Sequence, residues 1–381
     1  MDRFPRHLIA AATLSLAAAA AHAQIKIASL QELSGTGATV GTNFKNGMDL
    51  AIREINAAGG ILGKKIEVTH SDTQSNPGVA KGLAQKAVDD DVLAVFGPGF
   101  SGSMIVSMNE TKRAQIPNFT GAEAAAITQQ GNPYVYRSSF GQQTSMPKIA
   151  RYMANNLKAK TVAVIYVNND FGKGGRDMVI KSLGELGVKV VADISTDPGK
   201  LDFAAPVLQA KQSNADVIFV YTNEEESARA LRELRKQGIT KPIVGETTLT
   251  GQKVIGLAGD AANGAVGHVG LTVDAPLPTM RAFRAKFEKE YKYLPDHNGI
   301  KGYTGVYVMK AALEKAGKID RAALAKAMKG LSVSATKEPG VIMDVTYDDK
   351  GDLDRESFLV EVKNGKREVK EVLPPLSKKT S

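Results

Sequence analysis

The chain has 381 residues, 43% apolar and 23% charged, with a formal charge of +9 and neither cysteine nor tryptophan. That composition belongs to a globular protein and excludes collagen-like, coiled-coil and disulfide-stapled architectures. A cysteine-free chain also holds no zinc ribbon, cysteine-bound iron–sulfur cluster or thiol nucleophile.

The N-terminus carries Arg3 and Arg6, then an apolar run from Leu8 to Ala20, then Ala21-His22-Ala23. This is the pattern of a secretory signal peptide over residues 1–23, with export to the periplasm and cleavage before Gln24. The run is too short to span a bilayer as a stable helix. A short apolar strand from Ile25 to Leu30 follows, then a Gly/Ser/Thr loop from Ser34 to Gly41. A helical pattern with Phe44, Met48, Ala51, Ile52 and Ile55 on one face comes next, ended by Gly59-Gly60. The same grammar repeats through strand Ile66 to Thr69, helix Val79 to Val88, strand Val92 to Phe96, helix Met104 to Arg113 and strand Ile116 to Phe119. Alternating strand and helix predicts a parallel sheet with both faces covered.

A second alternating series starts beyond the loop Gly141 to Ser145. It has helix Pro147 to Asn156, strand Val162 to Val167, helix Gly174 to Leu186, strand Val188 to Ile194, strand Val217 to Tyr221, helix Glu225 to Gln237 and strand Ile243 to Gly245. Three further helical patterns (Thr279 to Tyr291, Thr304 to Ala316, Arg321 to Met328) and short strands near Val341 to Thr346, Phe358 to Val362 and Val369 to Leu373 complete the chain. With no linker before these last hundred residues, the chain is expected to cross back and complete both α/β lobes, leaving a hinge and a cleft. The expected lobes are residues 24–142 with 273–349 and residues 143–272 with 350–381.

The local chemistry is sparse. Gly35 to Gly41 reads GxGxxxG, not the GxGxxG of a dinucleotide site, and no ribose carboxylate stands about twenty residues on; a mobile loop lining the cleft is the alternative. Gly99-Phe100-Ser101-Gly102-Ser103 resembles a nucleophile elbow but has Ser103 where GxSxG needs glycine. Only His70, His268 and His297 follow residue 23, none in a paired metal spacing. The chain is therefore expected to be no enzyme and to use no metal or cofactor. An exported α/β enzyme using the glycine loop or Ser101 stays as the contrary reading. The 49 Lys and Arg residues lie singly or in pairs such as Lys64-Lys65, so the charge reads as a solvated surface and not a nucleic-acid footprint.

Donor-rich helix starts are the more informative feature. The turn from Phe96 to Met104 ends a strand and opens a helix, so free backbone N–H groups with Ser101 and Ser103 hydroxyls favour a carboxylate there; a serine N-cap is the competing reading. Thr120-Gly121-Ala122-Glu123-Ala124 repeats the arrangement, with Glu123 either facing a cationic ligand or sitting in a first helical turn. Asn223 with Glu226 reads as a capping box, and Glu225 can pair with Arg229. Glu246, before Thr247-Thr248, has no such helix role in view and is the better candidate for a ligand contact.

The ordered set Leu33-Ser34-Gly35, Gly47-Met48-Asp49, Glu54-Ile55-Asn56-Ala57-Ala58-Gly59-Gly60, Asp72 to Pro77, Gly97 to Ser103, Asp170-Phe171-Gly172-Lys173-Gly174, Asp202-Phe203 and Tyr347 to Asp352 runs over most of the chain. With these features the chain resembles the periplasmic solute-binding proteins of branched-chain amino-acid ABC importers, of which the leucine/isoleucine/valine-binding proteins are the type. The resemblance implies an α/β type I periplasmic binding fold: two doubly wound parallel-sheet lobes, a three-crossover hinge, and a small solute held by lobe closure and delivered to a membrane ABC permease. It places ligand contacts at Ser101, Gly102, Ser103, Ala122, Glu123, Phe171 and Glu246; Phe100, Asn223, Thr247 and Lys301 are expected to join them. Two departures bear on the solute: Val40 stands where an aromatic often covers it, and Glu123 where a small hydroxyl residue is usual. Buried, Glu123 requires a cationic group on the ligand or a lysine such as Lys301. The solute is accordingly an amino acid or related amine or amide, or else a plain carboxylic acid.

Overall fold

The computed structural model describes residues 24–377; the expected signal peptide and the expected frayed tail Lys378 to Ser381 lie outside the described residues. Strands β1 (Ile25–Gln31), β2 (Ile66–Asp72), β3 (Ala94–Phe96), β4 (Asn118–Thr120) and β5 (Val135–Arg137) form an all-parallel sheet in the order β2-β1-β3-β4-β5. Helices α1 (Ala38–Ala57), α2 (Pro77–Asp89), α3 (Ser101–Arg113) and α4 (Ala126–Gln129) connect these strands. Every residue of β3, β4 and β5 is buried, as covered faces demand, whereas the edge strand β2 is largely half-exposed.

Past α5 (Gln142–Arg151) the pattern repeats with β6 (Thr161–Val167), α6 (Asp170–Glu185), β7 (Lys189–Thr196), α7 (Ala204–Gln212), β8 (Val217–Tyr221), α8 (Glu224–Lys236), β9 (Ile243–Gly245), α9 (Thr247–Thr250), α10 (Gln252–Ala258) and β10 (Val266–Val269). Helices α11 (Pro278–Tyr291), α12 (His297–Ala316) and α13 (Arg321–Met328) then return to the first sheet. They are followed by a small sheet of β11 (Ser332–Val333), β12 (Val345–Tyr347) and β13 (Leu353–Asp354). Strands β14 (Ser357–Lys363) and β15 (Lys366–Leu373) close the second sheet as an antiparallel edge, in the order β15-β14-β10-β9-β8-β6-β7.

The first lobe's core is therefore built from both ends of the chain: Ile27, Phe44, Met48 and Phe119 pack with Phe283, Phe287, Ile300 and Met309. Helices α1 and α12 approach closely enough that a Cβ on Gly47 would lie 1.9 Å from the Gly299 carbonyl oxygen, and one on Gly302 would lie 2.1 Å from that of Phe44. Only glycine allows that approach. The second sheet is sandwiched between two clusters, one around Ile165, Ile218 and Leu231 and the other around Val164, Phe219 and Leu183. Successive residues of one strand divide between the clusters because side chains alternate across a sheet.

Three expectations need correction. The segment Ser34 to Gly41 is not a mobile loop: Gly35–Gly37 is a 3-10 turn and α1 already begins at Ala38. Asp72 Oδ1 accepts from the N–H groups of Leu33 and Ser34, while Ser75 Oγ accepts from Gly37 N and donates to the Ser34 carbonyl. The helix expected over Pro147 to Asn156 starts earlier, at Gln142, and ends in a π turn at Tyr152–Asn156. The third crossing comes at Arg355–Glu356, after residue 349, because Asp352 and Leu353 are held to the first lobe.

That hold is a saturated polar network. The fully buried Arg137 guanidinium donates to Asp352 Oδ1 at 2.6 Å, to the Ala122 carbonyl at 2.6 Å and to the Ala124 carbonyl at 2.7 Å. Thr128 Oγ1 and Gln129 Nε2 donate to the same carboxylate at 2.8 Å. Arg137 N donates to Gly351 O, and Tyr347 OH donates to Arg137 O.

Candidate functional site

In open α/β sheets, ligands lie outside the carboxyl ends of the strands. Here the carboxyl ends of both sheets face one cleft, with Phe100 to Ser103 following β3, Ala122-Glu123 following β4, Phe171 following β6, Asn223 following β8 and Glu246 following β9. The lobes meet across it. Lys253 Nζ donates to Thr39 Oγ1 at 3.2 Å, and Asp170 of α6 faces Gly102 of α3, where a Cβ would lie 3.0 Å from its carboxylate. What remains between the lobes is a polar cavity of about 10 Å³, space for roughly one water molecule. This conformation is closed.

Two buried acid–base pairs line that cavity. Lys301 Nζ donates to Glu123 Oε1 at 2.7 Å and to the Gly121 carbonyl at 3.0 Å. The lysine does not precede its helix, as expected, but sits in the second turn of α12, which Asp296 caps by accepting from Asn298 N and Gly299 N. In the second lobe, Glu246 Oε1 is hydrogen-bonded to His268 Nδ1, and its Oε2 accepts from Thr247 N and Thr247 Oγ1. Burial raises the Glu246 carboxyl, but the His268 and Thr247 donors outweigh it and hold the group below its ordinary value. Glu246 thus does have a helix role, contrary to expectation: it is the N-cap of α9.

The glycine-rich turn after β3 is partly occupied by the chain itself. The buried Glu32 carboxylate accepts from Gly99 N and Phe100 N, both at 3.1 Å. Burial pushes that carboxyl up against these two N–H groups, which pull it down. Phe100 is the N-cap of α3 and no serine caps it. Ser101 Oγ accepts from Ala124 N, leaving the first-turn N–H groups of Ser101, Gly102 and Ser103 and the buried, unpartnered Ser103 Oγ as free donors among the described residues.

Of the remaining expected contacts, Ala122 gives its carbonyl to Arg137. Phe171 stacks on Tyr221 with ring centroids 4.3 Å apart, and its carbonyl accepts from Gln142 Nε2, which also donates to Tyr221 OH. Asn223 closes a capping box with Glu226. Glu225 pairs with Arg229, and also with Lys253. The cavity itself brings together Glu123, Glu246, Thr247 and Lys301. It does not include Phe100, Ser101, Gly102, Ser103, Ala122, Phe171 or Asn223. Sequence reasoning missed Ser139, Phe140, Ser145, Gly270, Leu271 and the two histidines His268 and His297, which also line it. Ser139 and Gly270 follow the ends of β5 and β10, so the strand-end rule alone would have found them.

A family model described as periplasmic binding protein matches residues 24–367. The Leu/Ile/Val-binding protein BraC3 of Rhizobium johnstonii is 31% identical over 89% of this chain and 91% of its own. The branched-chain amino-acid substrate-binding protein LivJ of Streptococcus pneumoniae, solved in complex with isoleucine, is 28% identical with a TM-score of 0.83, covering 92% of this chain and 100% of that one. A solute-binding protein of an ABC transporter from Rhodopseudomonas palustris, solved with 3,4-dihydroxybenzoic acid, shares the fold with a TM-score of 0.82 at 24% identity, over 92% of this chain and 97% of its own.

Proposed function

The chain belongs to the periplasmic binding protein family of ABC transporters, and we propose that it is exported, cleaved before Gln24, and delivers a small carboxylate-bearing solute to a membrane permease without chemical turnover. The observation that carries this reading is the set of strand-end groups at the cleft: the first turn of α3 leaves N–H donors unfilled among the described residues, and the carboxylates of Glu123 and Glu246, one from each lobe, line the cavity. The moving bodies are residues 24–142 with 273–354 and residues 143–272 with the chain from residue 357 onward. Ligand contacts with both bodies drive closure about the three crossings.

The solute is an amino acid or a related amine or amide, its carboxylate on Ser101 to Ser103 and its ammonium toward Glu123 or Glu246. The relatives named for leucine, isoleucine and valine support this reading. A plain carboxylic acid is the second reading, favoured by one observation: Lys301 already neutralises Glu123 from within the first lobe.

Thermal melts of the mature protein against millimolar amino acids, amides and carboxylic acids decide between them. A solute at a hundred times its Kd adds about 2.7 kcal/mol, raising Tm by several degrees. Shifts with amino acids or amines support the first reading and shifts with plain acids alone the second. A flat response to every class overturns both.

A further inference from the structure

A second polar cluster lies where the lobes meet, outside the two ion pairs. Glu224, in the first turn of α8, comes from the second lobe; Asp296 and His297, at the start of α12, come from the first. One carboxylate oxygen of each acid and one ring nitrogen of His297 lie within 4.8 Å of one another. No local sequence spacing announces this group, because 72 residues separate Glu224 from Asp296.

Two observations say that the cluster is incomplete. His297 is only 8% exposed, yet neither of its ring nitrogens has a hydrogen-bond partner among the described residues. The Glu224 carboxylate likewise has no hydrogen bond or ion pair among them. The neighbouring cations are already engaged, Lys301 with Glu123 and Lys253 with Glu225 and Thr39. Closing the cleft therefore brings two carboxylates from opposite lobes together beside an imidazole; the Asp296 carboxylate accepts only from Asn298 and Gly299 of its own helix start, and among the described residues no hydrogen bond joins the three groups. Burial and the neighbouring Asp296 push Glu224 up to about 7, and burial pushes Asp296 up to about 6 against the hydrogen bonds it accepts from Asn298 and Gly299.

We propose that Glu224, Asp296 and His297 form a site for a divalent transition-metal ion, zinc in the first instance, that latches the two lobes in the closed conformation. One imidazole nitrogen and two carboxylate oxygens are a donor set that zinc accepts, with bonds of about 2.0–2.2 Å. In tetrahedral coordination two such bonds set their donors about 3.4 Å apart, so side-chain rotations that bring the donors in by up to about 1.4 Å close the spacing. The ligands come from both lobes, so the ion binds the closed form and not the open one. By linkage, the ion then raises affinity for a cleft solute by the same factor as the solute raises affinity for the ion. The site rests on the closed cleft of the proposed function and shares His297 with the cavity lining, whichever class of solute fills it.

Titration of the full mature chain with Zn²⁺ alone by calorimetry, with scattering on the same samples, tests this. The expected result is one ion per chain and a fall in radius of gyration on binding. Glu224→Gln and His297→Ala are each expected to weaken Zn²⁺ by tenfold or more, whereas Glu225→Gln, on the same helix but outside the cluster, leaves it unchanged. Glu224 is less buried than His297, so its variant keeps the test interpretable if His297→Ala fails to fold. Co²⁺ substitution should add visible absorption that Glu224→Gln abolishes. No Zn²⁺ binding, binding unaltered by both variants, or binding without compaction each overturns the proposal.

Discussion

Charge is buried both in the Arg137–Asp352 network of the first lobe and in the cleft, and of the two only the network saturates it. Arg137 and Asp352 give nearly every donor and acceptor they own to neighbours within one lobe, so the network welds distant segments into one body. The cleft groups instead leave atoms over: His268 Nε2 and Ser103 Oγ are buried without partners among the described residues. A saturated network offers nothing to a ligand, whereas an unsaturated one keeps a cost that an incoming group can remove.

Breaking the Arg137–Asp352 network should have the largest effect. Asp352→Asn leaves a fully buried guanidinium without its counter-charge, for an expected stability loss of about 3–5 kcal/mol in urea unfolding, with solute affinity of the folded fraction unchanged. A loss under about 1 kcal/mol would erase the distinction between the regions. Next is Glu123→Gln: an amine solute that meets this carboxylate should lose about 2–4 kcal/mol of affinity by calorimetry. A plain acid should lose much less, since there the carboxylate serves only Lys301.

Glu246→Gln should cost about 1.5–3 kcal/mol of stability at pH 7, as one charged hydrogen-bond acceptor is lost. The sign with pH follows from the lowered carboxyl: its contribution is present above the ordinary value of 4.5 and is lost as pH falls through the still lower folded value. Wild type and variant should therefore converge in acid, and unfolding curves between pH 3 and pH 7 would reveal parallel lines if the reasoning fails. Asn223→Ala is the mildest, about 1 kcal/mol of stability from the lost cap and no change in solute affinity. A fall in affinity instead would return Asn223 to the ligand.

Legibility in the sequence followed the range of the interaction. Strand–helix alternation and the capping box of Asn223 and Glu226 are local, and they read directly from spacing. The Glu123–Lys301 pair spans 178 residues, yet the need for it was readable, because a buried carboxylate requires a counter-charge and few lysines are placed to supply one. The Glu246–His268 bond had no such signal, since both residues sit at the ends of neighbouring strands in registers that periodicity does not fix. Nor did Glu32, whose carboxylate fills N–H groups that the glycine-rich turn seemed to leave for a ligand. Which side chain reaches a helix start is decided by tertiary packing.

The contact between α1 and α12 also sets an order in time. Gly47 meets the Gly299 backbone 252 residues further on, so the first body to be synthesised cannot be completed until most of the chain exists. At about 5–20 residues per second, the apolar face of α1 waits on the order of tens of seconds for its cover. Folding dominated by such distant contacts is slow, and the nascent chain meets whatever handles it with that lobe still unfinished.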